Sequence, residues 1–279
     1  MKVRTFIQLF GALILILTLL TACGGGGIET NFSVNRDGFD IQATEPKFFA
    51  EETFTREMLL ENHIRIRLEA VRGDIEIEGR DDADSVTVIA QKWVWSDSFE
   101  DAKLHLNDLE ILVTEQIDEV LIETIQPGNK QGRKYIVDYR IILPSDLETE
   151  VILTNGDISV LNIRKWLMVD AANGNVSLSN IFGHAVVDLA NGSIDSTMVL
   201  PLNGEIRMST DNGNIDLIIP TSTSAEFAAS VTNGSINTLN LEFDAAVKTS
   251  QSLTGTLGIG EGLIDLYSNN GHISVVGFD

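Results

Sequence analysis

Apolar and polar residues alternate along much of this chain, and the alternation restarts repeatedly behind an Asn-Gly pair. Behind Asn155-Gly156, the apolar residues Ile158 and Val160 stand at every second position. Period-2 alternation predicts short strands with one buried face, and Asn-Gly predicts a tight corner because both residues tolerate positive φ. We assign a structural turn to six such pairs. They are Asn155 and Gly156, Asn173 and Gly174, Asn191 and Gly192, Asn212 and Gly213, Asn233 and Gly234, and Asn270 and Gly271.

The spacing of these corners predicts a coil rather than a row of hairpins. Gly156, Gly174 and Gly192 follow one another at intervals of 18 residues, and Gly192, Gly213 and Gly234 at intervals of 21. A chain of hairpins has no reason to return to the same motif every two strands, whereas a coil does. The sequence therefore predicts a β-solenoid, with a β-sandwich or meander as the alternative.

A coil also predicts how the corner side chains are arranged. Asn155, Asn173, Asn191, Asn212 and Asn233 occupy the same place in successive coils, so we expect them to stack along one edge. Ladders of side-chain amides stabilise such a stack and need no ligand.

The segment 235–269 is less regular. It contains no Asn-Gly pair, and Gly255 and Gly262 stand where corners are expected, each before alternating apolar residues. From the sequence, the regularity of these coils stays open.

The first half of the chain has another pattern. Residues 31–150 combine alternating strands with one helix near 98–108, which Ser98 can cap. We interpret this part as an N-terminal cap with the first strands, because the open end of a solenoid would expose unpaired strand edges. Residues 151–279 form the β-solenoid, with repeats of about 18–21 residues.

The tryptophans are candidates for stacking on sugar rings. Trp93 and Trp95 stand two residues apart on one predicted strand, so both side chains point to the same side. We expect both in the core rather than in a surface patch. Trp166 is the third candidate.

The N-terminus has the pattern of a secretion signal. In residues 1–22, Lys2 and Arg4 precede an apolar run. The run ends in Leu20-Thr21-Ala22-Cys23, which resembles a bacterial lipobox. The resemblance implies cleavage before Cys23 and lipidation of this residue. Residues 23–30, the lipidated Cys and a Gly-rich tether, would then join a membrane to the folded body.

Charge and composition narrow the classes of partner. Lys plus Arg number 19 against 41 Asp plus Glu, a net charge of −22, so a nucleic-acid partner is not expected. The single Cys and the four scattered His give no metal-ligand spacing. We expect no metal and no cofactor.

Two segments resemble a known family. Tyr139-Arg140-Ile141-Ile142-Leu143-Pro144, followed by Glu150-Val151-Ile152-Leu153-Thr154-Asn155-Gly156-Asp157-Ile158, is similar to bacterial "putative adhesin" domains built from β-strand repeats. The resemblance covers roughly residues 60–279. It implies a right-handed β-helix-like fold in cell-envelope proteins that are often membrane-anchored. The family has no catalytic motif to carry over.

Three carboxylates are candidates for a surface contact. Asp157, Asp195 and Asp216 fall at outward positions behind the corners, where they could share one face. A weak calcium or glycan contact is one interpretation, but solvated strand faces commonly carry Asp, Asn and Ser. We assign these residues no catalytic role.

Together these observations predict an all-β, acidic lipoprotein of the bacterial cell envelope that is not an enzyme. It would be lipid-anchored, either to the outer membrane or to the outer face of the cytoplasmic membrane. Its solenoid surface would serve adhesion or scaffolding through an unidentified envelope or extracellular glycan or protein. The alternative is a carbohydrate-active β-helix enzyme acting on an envelope or extracellular polysaccharide.

Overall fold

The computed structural model describes residues 47–60 and 64–279. Their strands form two sheets that enclose one core of buried, mostly aliphatic side chains. The predicted signal peptide (1–22), Cys23 and the tether (23–30) lie outside the described residues. Within the described part of the chain, no helix has the length and apolar character needed to cross a bilayer.

The first sheet, sheet A, has ten strands within the described ranges, numbered in chain order. In spatial order they are β1 (Phe48–Leu59), β4 (Ser85–Ser96), β7 (Lys134–Pro144), β3 (Ile75–Arg80), β9 (Ile158–Leu161), β11 (Val176–Ile181), β13 (Ile194–Met198), β15 (Ile215–Pro220), β21 (Ile273–Phe278) and β17 (Ile236–Leu239).

The second sheet, sheet B, has eleven strands among the same residues. In spatial order they are β18 (Asp244–Lys248), β19 (Ser252–Leu257), β16 (Ala225–Asn233), β20 (Gly262–Asn270), β14 (Glu205–Asn212), β12 (His184–Asn191), β10 (Trp166–Asn173), β8 (Glu148–Asn155), β2 (Arg65–Arg72), β6 (Glu119–Ile125) and β5 (Glu110–Glu115).

From β8 to β17 the chain winds alternately through the two sheets. A strand of sheet B ends at an Asn-Gly corner, and the next strand lies in sheet A. Neighbouring strands are parallel and in equal register, so Asn155 lies opposite Asn173, which in turn lies opposite Asn191. The predicted β-solenoid is confirmed.

The core forms because each coil repeats its apolar residues at the same positions. The first apolar residues behind five corners stack across sheet A and are at most 1% exposed; these are Ile158, Val176, Ile194, Ile215 and Ile273. Burial of each such side chain contributes about 1.5–3 kcal/mol before conformational entropy is counted.

The last coil is out of chain order. β20 lies between β14 and β16, and β21 lies between β15 and β17. The coil formed by β16 and β17 therefore rests on the C-terminal strands and not on the coil that precedes it in sequence.

The irregular segment between β17 and β20 contains a hairpin formed by β18 and β19. β19 pairs antiparallel with both β16 and β18, so Gly255 lies within a strand and does not open a coil. Gly262 is the first residue of β20. The hairpin and β20 therefore lie on opposite sides of β16, and β20 occupies the place beside β14.

The first coil consists of β2 and β3 and lies against that of β8 and β9. Arg72 stands opposite Asn155, and Ile75 stands opposite Ile158. Beyond this coil, β6 and β7 still lie parallel to β2 and β3. The parallel stacking ends at the next strands, since β4 is antiparallel to both β7 and β1, and β5 is antiparallel to β6.

A short helix, α1 (Phe99–Leu104), follows β4 and continues into a 3-10 turn, His105–Asp108. The Ser98 hydroxyl oxygen accepts a hydrogen bond from the backbone N–H of Asp101 at 3.1 Å, the cap that the sequence predicts. The predicted short helix is confirmed.

Candidate functional site

The Asn-Gly corners pack so tightly that only glycine fits at their second position. Gly156, Gly174 and Gly192 have φ angles of 142°, 131° and 141°, a region that strains residues with a side chain. A Cβ on Gly174 would collide with the carbonyl oxygen of Gly156, and a Cβ on Gly192 with that of Gly174. The glycines therefore form a continuous backbone seam along one edge of the solenoid.

The asparagines beside this seam form a hydrogen-bonded ladder in which each side-chain amide nitrogen donates to the amide oxygen of its neighbour. Donor first, the pairs are Asn173 to Asn155 (3.3 Å), Asn191 to Asn173 (3.1 Å), Asn212 to Asn191 (2.9 Å), Asn270 to Asn212 (3.0 Å) and Asn233 to Asn270 (2.9 Å). Asn270 lies between Asn212 and Asn233 in the ladder, because the last coil (β20 and β21) is inserted between the coil of β14 and β15 and the coil of β16 and β17.

A second polar ladder follows on the other side of the seam. The Asp157 carboxylate accepts a hydrogen bond from the backbone N–H of Asn175 at 2.7 Å. The Asn175 side-chain oxygen accepts one from the N–H of Ser193 at 3.0 Å. Asp157 therefore holds two coils together, a structural role that its sequence position alone does not reveal.

The structure brings Asp195 and Asp216 together and leaves Asp157 in another row. Asp195 and Asp216 are direct neighbours on β13 and β15, in a row that also contains Glu76, Ser159 and Ser177. Asp157 precedes this row by two residues. The sequence already separates the two rows when residues are counted from the corner glycine. Asp157 is the first residue after its glycine, whereas Asp195 and Asp216 are each the third residue after theirs.

Burial raises the pKa of Asp195, and the nearby Asp216 carboxylate adds to this shift. The pair lies on the exposed outer face of sheet A. Among residues 47–60 and 64–279, no three His, Cys, Asp or Glu side chains come together as a metal site. The two carboxylates contribute negative charge to a flat surface.

The prediction that Trp93 and Trp95 are core residues is wrong. Both are half-buried on the outer face of sheet A, where the Phe49 ring packs on them with centroid separations of 5.5 Å and 4.8 Å. We call Phe49, Trp93 and Trp95 the aromatic platform. The parity of β4 explains the placement, because Val88 and Val94 point inward and odd-numbered residues therefore point outward.

A groove lies beside the aromatic platform. It has a volume of about 350 Å³ and is lined by Phe49, Ala50 and Glu51 of β1 and by Phe99, Lys103 and Leu106 of the helical segment. Phe49 is 40% exposed and Phe99 is 50% exposed. Sequence reasoning missed this groove, because only the docking of α1 beside β1 brings its two walls together.

Trp166 lies apart from the platform, at the start of β10 in sheet B. Its indole stacks on the His184 ring with a centroid separation of 5.1 Å and an interplanar angle of 26°. Next to this pair, the Arg164 guanidinium lies 5.8 Å from the centroid of the Phe182 ring. The His184 ring covers one face of Trp166, so this tryptophan is a less open stacking surface than Phe49.

Residues 138–276 match the family model described as Toastrack DUF4097. The chain carries a Toastrack DUF4097 domain. The Toastrack domain begins within β7 and contains all six Asn-Gly corners of the coils, so it covers most of the segment on which the sequence resemblance rests. No curated protein matches this chain.

Three solved structures are similar to the chain over the Toastrack domain and strands before it. A "putative cell adhesion protein" from Clostridium sporogenes ATCC 15579 is 15% identical with a TM-score of 0.46, covering 81% of this chain and 100% of that chain. A "putative adhesin" from Bacteroides fragilis NCTC 9343 is 11% identical with a TM-score of 0.29, covering 81% and 97%. A "putative lipid binding protein" from Parabacteroides distasonis ATCC 8503 is 12% identical with a TM-score of 0.20, covering 81% and 97%.

Proposed function

We propose that this chain is a non-catalytic lipoprotein of the bacterial cell envelope that binds another macromolecule through the outer face of sheet A, for adhesion or scaffolding. The observation that carries the proposal is the regular row of small polar side chains, exposed or half-buried, across this face. Five of its members are Ser159, Ser177, Asp195, Asp216 and Ser274.

The geometry of this row supports an extended contact. Neighbouring strands of a sheet lie about 4.8 Å apart, so five strands present one polar group at each step of a regular array. Small side chains leave the surface flat, and a flat repeated surface suits a long partner better than a small molecule. Enclosed sites for small molecules have a different, concave shape.

The predicted lipid at Cys23 would hold this surface at a membrane. Stable anchoring needs more than one acyl chain, which the lipobox resemblance implies. The folded body adds no attraction to an anionic membrane, because the chain carries a net charge of −22.

A carbohydrate-active enzyme is the second candidate, and Asp195 is the residue that favours it. A carboxyl group whose pKa is raised can act as a general acid. However, its partner Asp216 lies beside it on the same flat face and not across a cleft, so no substrate bond can lie between the two carboxyl groups.

The test of the binding face uses the full-length chain, purified in detergent, and immobilised envelope material from the source cells. We expect retention of the wild type and a loss of at least tenfold for Ser177→Arg, which places a long charged side chain in the polar row. Thr254→Arg is the matched control, since Thr254 is an exposed strand residue of sheet B. Equal retention of both variants would exclude sheet A as the binding face.

The test of the anchor is membrane fractionation. After a carbonate wash we expect the wild type and the control Gly25→Ser in the membrane pellet and Cys23→Ser in the supernatant. A Cys23→Ser variant that stays in the pellet would exclude the lipid anchor. For the enzymatic alternative, release of sugar from envelope polysaccharide by the wild type, abolished by Asp195→Asn, would replace the binding proposal.

A further inference from the structure

The aromatic platform leaves one ring open to a ligand. Phe49 packs on Trp93 and Trp95 and is nevertheless 40% exposed, because it stands on β1, the edge strand of sheet A. The two indole rings contact the phenyl ring at interplanar angles of 55° (Trp93) and 38° (Trp95). An aromatic ring held in this way is pre-organised for stacking, since little side-chain freedom is lost on binding.

The groove beside Phe49 combines apolar walls with a charged rim. Phe99 forms part of the opposite wall, while Glu51 and Lys103 supply one carboxylate and one ammonium group. A volume of about 350 Å³ lies within the range of small-ligand sites. The rim offers hydrogen-bond acceptors from Glu51 and donors from Lys103.

We propose that this groove and the aromatic platform bind the pyranose ring of a neutral glycan. The proposal rests on the proposed function and names a ligand class for the β1 edge of sheet A, where the aromatic platform on the outer face meets the groove formed with α1. A pyranose has an apolar C–H face that can lie on the Phe49 ring. Its equatorial hydroxyls can donate to Glu51 and accept from Lys103. A longer glycan could extend from here along sheet A.

Charge selects this class of ligand over two others. The chain carries −22 overall, so an anionic polysaccharide or an anionic lipid surface is repelled. The rim itself contains one acid and one base and so favours a neutral ligand. A second copy of this chain would bring its own net charge of −22 against the β1 edge, where Glu51, Glu52 and Glu57 lie.

The experiment is a calorimetric titration of the full-length chain in detergent with cellohexaose, chitohexaose and mannohexaose, and with polygalacturonate as the anionic probe. We expect binding of at least one neutral hexasaccharide and none of polygalacturonate. Phe49→Leu, which removes the ring and keeps an apolar side chain, should weaken binding about tenfold. Phe49→Tyr keeps the ring and should retain wild-type affinity.

Trp166→Ala is the matched control, since Trp166 is a partly exposed aromatic residue outside the site, and its affinity should equal that of the wild type. Wild-type affinity of Phe49→Leu would overturn the site. Failure of all three neutral glycans, or preferential binding of polygalacturonate, would overturn the ligand class. In either case the proposed function is tested separately, by the retention of Ser177→Arg on envelope material. Failure of the glycan proposal is therefore distinguishable from failure of the proposed function.

Discussion

Neighbouring layers are held together by different contacts in the regular coils and at the N-terminal end of the sheets. In the coils, each backbone corner rests on the glycine of the next coil, and the amide ladder runs without interruption through six asparagines. At the N-terminal end, antiparallel strands, a helix and separate ion pairs hold the layers together. Repetition makes each coil depend on its neighbours, whereas the N-terminal end depends on individual side-chain contacts.

The Arg133–Asp101 ion pair is one of the individual side-chain contacts that hold the N-terminal end together. The guanidinium donates two hydrogen bonds to the Asp101 carboxylate, at 2.6 Å and 2.7 Å, and thereby joins α1 to the start of β7. Arg56 of β1 donates to Glu115 of β5 at 2.7 Å, linking the edge strands of the two sheets. Each of these pairs is a single contact, unlike the amide ladder, which repeats from coil to coil.

Removal of the last coil should have the largest effect. A chain that ends after Leu239 lacks β18 to β21 and leaves β16 and β17 without their parallel neighbours. We expect loss of cooperative unfolding and aggregation, measured by urea denaturation and size-exclusion chromatography. A monomeric fragment with a sharp transition would contradict the inserted position of the last coil.

A methyl group in the glycine seam should have the next largest effect. Gly192→Ala places a Cβ against the carbonyl oxygen of Gly174 at a φ of 141°. We expect a loss of about 4 kcal/mol or more in the free energy of unfolding, measured by urea denaturation. Gly128→Ala is the control, because a Cβ at Gly128 meets no atom within 4 Å. Similar losses in both variants would exclude the seam as the cause.

The acid sensitivity of the N-terminal end should depend on Asp101. Hydrogen bonds from Arg133, and secondarily from Ser96, lower the pKa of Asp101, so its stabilisation is present above the unfolded pKa and is lost as the pH falls. Asp101→Asn should therefore lower the urea midpoint at pH 7, and the difference from the wild type should shrink as the pH falls below about 4. Asp97→Asn, an exposed neighbour, is the control. A constant difference across this pH range would contradict the assignment.

Asp195 in the coils should show a smaller effect of opposite sign. Because burial and Asp216 raise its pKa, the ionised carboxylate costs stability once the pH exceeds the unfolded value of about 3.9. Asp195→Asn should thus be slightly more stable than the wild type at pH 7 and equal to it below about pH 4. Asp211→Asn serves as the control, and destabilisation by Asp195→Asn at pH 7 would exclude the repulsive pair.

The coils can be predicted from sequence because their determinants are local. Asn-Gly fixes the corner, and Ile158 and Val160 fix which face of the following strand is buried. The position of the last coil cannot be predicted in this way, because Asn212, Asn233 and Asn270 carry the same motif and nothing in the motif specifies which coil is next to which.

The candidate site depends on contacts that the local sequence does not encode. The size and apolar character of Trp93 and Trp95 favour the core, although the parity of Val88 and Val94 places them outside. The contribution of Phe49 depends on the pairing of β1 with β4, in which Phe49 lies opposite the distant residue Trp95. The groove needs, in addition, the docking of α1.

The inserted last coil also sets an order of assembly in time. During synthesis the N-terminal part of the chain is available first. Coils up to residue 220 can then add one after another, each on a coil that has already formed. Residues 225–239 have no such template until residues 262–278 have arrived, since their hydrogen-bonding partners in the parallel stack are found there. The C-terminal end of the solenoid therefore closes in a single late event of high contact order, and its rate, rather than that of coil growth, governs when the protein is complete.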